Sequence, residues 1–68
     1  MRNNIKKIRK ELRITQKQLA RYLNISQQAV SYIESGRTNI SSQRMVRICK
    51  YLKHSIVEVF PDMNVNSK

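Results

Sequence analysis

The feature that most limits how this chain folds is its shortage of helix-breaking residues: one glycine, Gly36, and one proline, Pro61, in 68 residues. Before and between them apolar side chains recur at three- and four-residue intervals, the spacing that places them on one face of a helix. An all-α domain follows, and its helices must be started and stopped mainly by polar caps.

The caps are present. Ile5, Ile8 and Leu12 form one stripe on a first helix whose other faces carry Lys6, Lys7, Arg9, Lys10 and Arg13, with Asn3 or Asn4 to cap its start. Thr15 to Gln18 fits a capping box, in which the threonine oxygen takes an orphan amide and the glutamine reaches back to the amide of the cap. A second helix opens there, with Leu19, Ala20 and Leu23 inward, and ends at Asn24, a residue type that accepts the left-handed conformation. Ile25 turns the chain back inward. Ser26 caps a third helix, which at about 100° per residue divides into an apolar side of Ala29, Val30 and Ile33 and an uncharged polar side of Gln27, Gln28, Ser31 and Tyr32. Glu34 lies on the border, and Gly36 sits just beyond the helix, where a positive φ costs it little.

After a loop from Arg37 to Ile40, Ser41 or Ser42 caps a fourth helix that turns Met45, Ile48, Cys49 and Leu52 inward and Arg44, Arg47 and Lys50 to water. Ser55 to Glu58 is a second capping box, opening a short fifth helix through Val59 and Phe60 that Pro61 terminates. The expected organisation is one compact domain over residues 1–61 and a short, polar, frayed tail over residues 62–68.

Fourteen Lys and Arg against four acids give a formal net charge of +10, and nucleic acid is the leading partner for such an excess. The amino terminus has basic residues without an apolar stretch behind them, so it does not read as a signal peptide, and no run is long enough to span a membrane. The single cysteine, Cys49, forms no internal disulfide, and a cytoplasmic location is expected. Cys49 reads as a core filler and His54 as a surface residue. With one histidine, one cysteine and scattered acids there is no nucleophile and base pair and no metal set. The chain is expected to be no enzyme, to need no cofactor and to have no small-molecule substrate.

The second and third helices are separated by about two residues, and so tight a turn makes them cross at a large angle, as in a helix-turn-helix spanning roughly Gln16 to Ser35. In that arrangement the later helix enters the major groove. The residues that carry this unit, Thr15-Gln16, Leu19-Ala20, Leu23 to Gln28, Val30-Ser31 and Ile33 to Arg37, resemble the Cro and phage-repressor (Xre-like) regulators. Likeness extends from about Ile5 to Phe60 and implies a stand-alone five-helix, lambda-repressor-like domain. Asn24 departs from the glycine usual in the family, although asparagine accepts the same conformation.

The resemblance implies residue roles as well. Gln16 matches a residue that binds phosphate and braces the recognition helix, and Lys17 and Arg37 are further phosphate contacts. Gln27 and Gln28 match base-reading positions, and Ser31 and Tyr32 match positions facing base edges or adjoining backbone. Arg9 and Glu34 match a largely buried ion pair. Independently of the family, a glutamine offers a donor and an acceptor together, which suits the N7 and N6 edge of adenine. Tyr32 has two open roles, against a thymine methyl or on a phosphate.

The function expected is sequence-specific binding of a pseudo-palindromic double-stranded DNA operator by a homodimeric regulator, a repressor. Tyr51, Ile56, Val57 and Phe60 are the candidate dimer contacts, because the fifth helix is too short to cover its own apolar side chains. Two alternatives compete: an antitoxin-like interaction module that holds a partner through its tail, and sequence-indifferent binding of nucleic acid through the basic face of the first helix.

Overall fold

The computed structural model describes residues 2–63. They form five α-helices, α1 (Ile5–Glu11), α2 (Gln16–Leu23), α3 (Gln27–Glu34), α4 (Ser42–Leu52) and α5 (Ile56–Val59), followed by a 3-10 turn over Pro61–Met63. The architecture is the all-α, five-helix one expected. Residues 64–68, most of the expected tail, lie outside the described residues.

Four of the five starts are capped by a hydroxyl. Thr15, Ser26, Ser41 and Ser55 hold extended backbone and accept from the amides of Gln18, Ala29, Arg44 and Glu58. The boxes at Thr15 and Ser55 are reciprocal, with Gln18 Oε1 and Glu58 Oε1 accepting from the cap amides at 2.7 and 2.8 Å. Each such cap contributes about 1 kcal/mol. At α1 the work falls to Asn3, whose Oδ1 accepts from the Ile5 amide at 3.1 Å, whereas Asn4 caps nothing with its side chain. Asn4 instead joins α1 to α5: its amide donates to the Val59 carbonyl at 2.8 Å and its Nδ2 to the Glu58 carbonyl at 2.9 Å.

Three helices end in one way. Arg13, Asn24 and Lys53 take the left-handed conformation, with φ of 61°, 59° and 57°. The following amides, of Ile14, Ile25 and His54, donate back to the carbonyls of Arg9, Ala20 and Cys49. This satisfies helix-end carbonyls, sets the half-buried Ile14 and Ile25 against the core, and a Thr or Ser cap follows each reversal at once. The reversal at Arg13 corrects the expected stripe on the first helix. Because α1 stops at Glu11, Leu12 stands at its end, 43% exposed, and Ile14 packs against the core in its place.

The core collects Ile5 and Ile8 from α1, Leu19, Ala20 and Leu23 from α2, Val30 and Ile33 from α3, and Met45, Ile48 and Leu52 from α4, closed by Ile40, Val59 and Phe60. Small Ala20 is buried in α2, which packs against α3 and α4. Cys49 and Ala29 are only half-buried. Arg47 is exposed, as expected, and lies over the Tyr22 ring, 5.2 Å from its centre, donating to the Tyr22 carbonyl at 2.9 Å. Tyr22 in turn stacks on Tyr51 with ring centres 4.4 Å apart, which fastens the end of α2 to α4. Arg44 is half-buried rather than solvated.

Candidate nucleic-acid interface

The site is built from the amide ends of α2 and α3. The Asn24 reversal leaves only Asn24, Ile25 and Ser26 between the two helices. Ile25 packs against the core, and the Ser26 hydroxyl takes the Ala29 amide at 3.0 Å. With Val30 and Ile33 buried beneath it, α3 presents Gln27, Gln28, Ser31 and Tyr32 on its outer side, all of them exposed and none charged. Tyr32 stands out most among the apolar bodies here, at 53% exposure.

Two shallow depressions flank this face. On one side Gln28, Ser31, Tyr32, Ser35 and Arg37 line a common hollow, so the exit from α3 brings Arg37 to the same surface as the polar residues of the helix. Gly36, at φ 79°, makes that turn possible. On the other side Gln16 and Gln27 share a hollow with Lys6, Arg9, Lys10, Arg13, Ile14 and Thr15. Lys17 lines a third hollow, with Thr15, Gln18 and Arg21. Lys6, Lys10 and Arg13 were legible only as a basic helix face. What gathers them beside Gln16 is the Arg13 reversal, which no residue type announces. Ser35 was also not foreseen; its hydroxyl donates to the Tyr32 carbonyl at 2.7 Å.

Behind this surface runs a hydrogen-bonded chain. Arg9 Nε donates to Glu34 Oε2 at 2.7 Å and Arg9 Nη2 to Glu34 Oε1 at 3.3 Å, with the two side chains 8% and 4% exposed. The remaining guanidinium arm donates to the Ile14 carbonyl at 2.9 Å. Glu34 Oε1 accepts a further bond from Gln16 Nε2 at 3.0 Å, and Gln16 Oε1 accepts from Gln27 Nε2 at 3.5 Å. One buried ion pair therefore ties α1 to the end of α3 and reaches, through α2, the first residue of α3.

Two further acids, Asp62 and Glu58, are engaged elsewhere. Asp62 pairs with Arg2 at 3.0 Å, both exposed, and Glu58 caps α5. The amide and hydroxyl of Ser55 and the nearby His54 hold the Glu58 carboxyl below its ordinary pKa. Burial raises that of the Cys49 thiol. Among the described residues no group of three or more His, Cys, Asp or Glu is placed to hold a metal, and no helix is long and apolar enough to cross a membrane.

Two helices joined by a tight left-handed turn carry this surface, and a helix-turn-helix family model matches residues 5–59. The chain belongs to the helix-turn-helix family, of the Xre, Cro and lambda-repressor type. It is a DNA-binding regulator. Comparison with curated proteins gives no match.

The expected dimer contacts fare unequally. Ile56 and Val57 are exposed, at 38% and 60%, with Val46 of α4 beside Ile56 at 46%. Tyr51 is half-buried in its stack on Tyr22. Phe60 is fully buried and belongs to the core, because the Asn4 bonds to α5 draw the chain end over α1. It offers no surface to a partner.

Proposed function

We propose that this helix-turn-helix protein is a repressor that inserts α3 into the major groove of a pseudo-palindromic operator and binds it as a homodimer. The observation that carries this reading is the uncharged, donor-and-acceptor-rich face of α3, with Arg37 at one side and the hollow of Lys6, Lys10 and Arg13 at the other. Hydroxyls and amides without net charge discriminate base edges, while the flanking cations attach to phosphates and set the register. Gln27 and Gln28 are the principal base readers in this reading. Ser31 and Tyr32 meet base edges or the adjoining backbone, and Gln16, Lys17 and Arg37 anchor phosphates, joined by Lys6, Lys10 and Arg13. Occupying a promoter obstructs transcription without further chemistry, which is why repression is the simplest regulatory outcome.

Homodimer formation supplies the second half-site, one helical turn or about 34–36 Å away. The exposed Ile56, Val57 and Val46 support a contact through α5 and α4. A cytoplasmic location accords with a DNA partner.

In vitro selection from random duplexes at two salt concentrations tests the proposal. The expected result is an enriched motif with two related half-sites, bound less tightly at higher salt by either sequence class. Selection without enrichment at both salts would sink the operator-reading claim and favour sequence-indifferent binding. Replacing both Gln27 and Gln28 by alanine is expected to flatten the motif while leaving binding to unselected DNA in place.

A further inference from the structure

The outward side of α4 carries a surface that shares no residue with the hollows beside α3. Val46, Cys49 and Lys50 stand at i, i+3 and i+4, which puts them on one face of the helix, and Lys53 follows at its left-handed end. Ser55 and Ile56, at the start of α5, complete a hollow with them. Val46 and Ile56 are exposed and Cys49 is half-buried, so apolar surface and two exposed cations, Lys50 and Lys53, face the same space. Glu58, the neighbouring acid of α5, accepts from the Ser55 amide at 2.8 Å and is engaged in capping.

Apolar surface beside two cations sets what covers it best. A second copy meeting the first about a two-fold axis lays the patch against itself, so the lysines of both copies come together. A phosphate backbone pairs with the lysines and leaves Val46 and Ile56 uncovered. An amphipathic helix whose aliphatic side chains are flanked by carboxylates satisfies both, laying the first along Val46, Cys49 and Ile56 and turning the second to Lys50 and Lys53. We propose that the hollow between α4 and α5 is a docking site for an acidic amphipathic helix of another protein. Part of this face is the one offered to a second copy on an operator, so such a partner opposes pairing. That consequence rests on the dimer reading above, whereas the docking does not.

Cys49 is the single cysteine of the chain and lines the hollow, so its rate of alkylation by iodoacetamide reads whether the hollow is covered. The probe is a synthetic peptide of about 15 residues with leucines at i, i+3, i+4 and i+7 and glutamates flanking them. Added to the full chain at low salt, it is expected to slow the alkylation of Cys49. Peptides with every Glu replaced by Gln, or every Leu by Ser, are expected to need at least about tenfold higher concentration for half-protection. Val46→Asp, and Lys50→Glu combined with Lys53→Glu, change exposed residues outside the core and are expected to raise the half-protecting concentration of the acidic peptide by at least about fivefold. No protection by the acidic peptide, equal protection by either altered peptide, or protection that survives both variants overturns the inference. So does a peptide-free rate that falls as protein concentration rises, which makes a second copy the occupant. Protection by anionic phospholipid vesicles equal to that by the peptide overturns it in favour of a membrane surface. In each of these cases operator reading by α3 stands.

Discussion

Arg9 and Glu34 meet where neither would go alone, because a charge buried without its partner costs several kcal/mol. The arrangement satisfies both: the guanidinium serves Glu34 and the Ile14 carbonyl, and the carboxylate serves Arg9 and Gln16. Among the described residues no buried side-chain nitrogen or oxygen is left without a hydrogen bond. Arg9→Met is therefore expected to destabilise the fold by about 3–5 kcal/mol, most of the stability of so small a domain. Arg9→Met combined with Glu34→Leu should cost less than Arg9→Met alone, and urea denaturation of the single and double variants checks the coupling. Glu58 makes a second prediction, about acid. Its folded pKa is depressed, foremost by the Ser55 amide, so its contribution is present above the ordinary carboxylate range and is lost as pH falls through the folded value. Melting temperatures of the wild type and Glu58→Gln should differ at neutral pH and converge in acid; a constant gap would contradict the capping role.

At the scale of elements the same three-residue reversal recurs: Arg13-Ile14-Thr15, Asn24-Ile25-Ser26 and Lys53-His54-Ser55 each combine a left-handed residue, a half-buried one and a hydroxyl cap. The caps were legible, since Thr and Ser ahead of apolar periodicity have few other uses. Of the left-handed positions only Asn24 was legible, because asparagine tolerates that conformation and arginine and lysine signal nothing about it. That gap explains the misplaced Leu12: without the stop at Arg13 the periodicity runs on by a further turn. The burial of Phe60 and the contact of the exposed Arg47 with Tyr22 escaped for another reason. Their surroundings are made by residues distant in sequence, Asn4 in one case and Tyr22 in the other. The exposure of Gln27, Gln28, Ser31 and Tyr32 was legible, being local to one helix, but the basic hollow beside them depends on how α1 meets α2. These reversals also locate removable strain. A residue with a Cβ pays roughly 1–2 kcal/mol to hold the left-handed region, offset in part by the greater chain entropy glycine loses on folding. Lys53→Gly is expected to raise stability by about 0.5–1 kcal/mol, several degrees in Tm, and Asn24→Ala to lower it by about 1 kcal/mol. Calorimetry of the two variants tests both signs.

For the molecule as a whole, charge acts against the proposed pairing of two copies. A net charge of +10 on 68 residues draws the protein to DNA and drives two copies apart in solution. The proposed contact through the exposed side chains of α5 and α4 would have to overcome that repulsion, and the nearby Lys50 and Lys53 add to it. DNA relieves the repulsion by neutralising both copies at once, so pairing should be weak in free protein and strong on an operator. Sedimentation without DNA is expected to give mostly monomer at low salt and more dimer as salt screens the charges, whereas titration of a two-half-site duplex should show cooperative occupancy. Val57→Asp, on a residue 60% exposed and outside the core, should leave the fold intact and each half-site's affinity nearly unchanged while abolishing the cooperativity. If that variant binds the two half-sites as cooperatively as the wild type does, α5 is not the surface through which the copies meet.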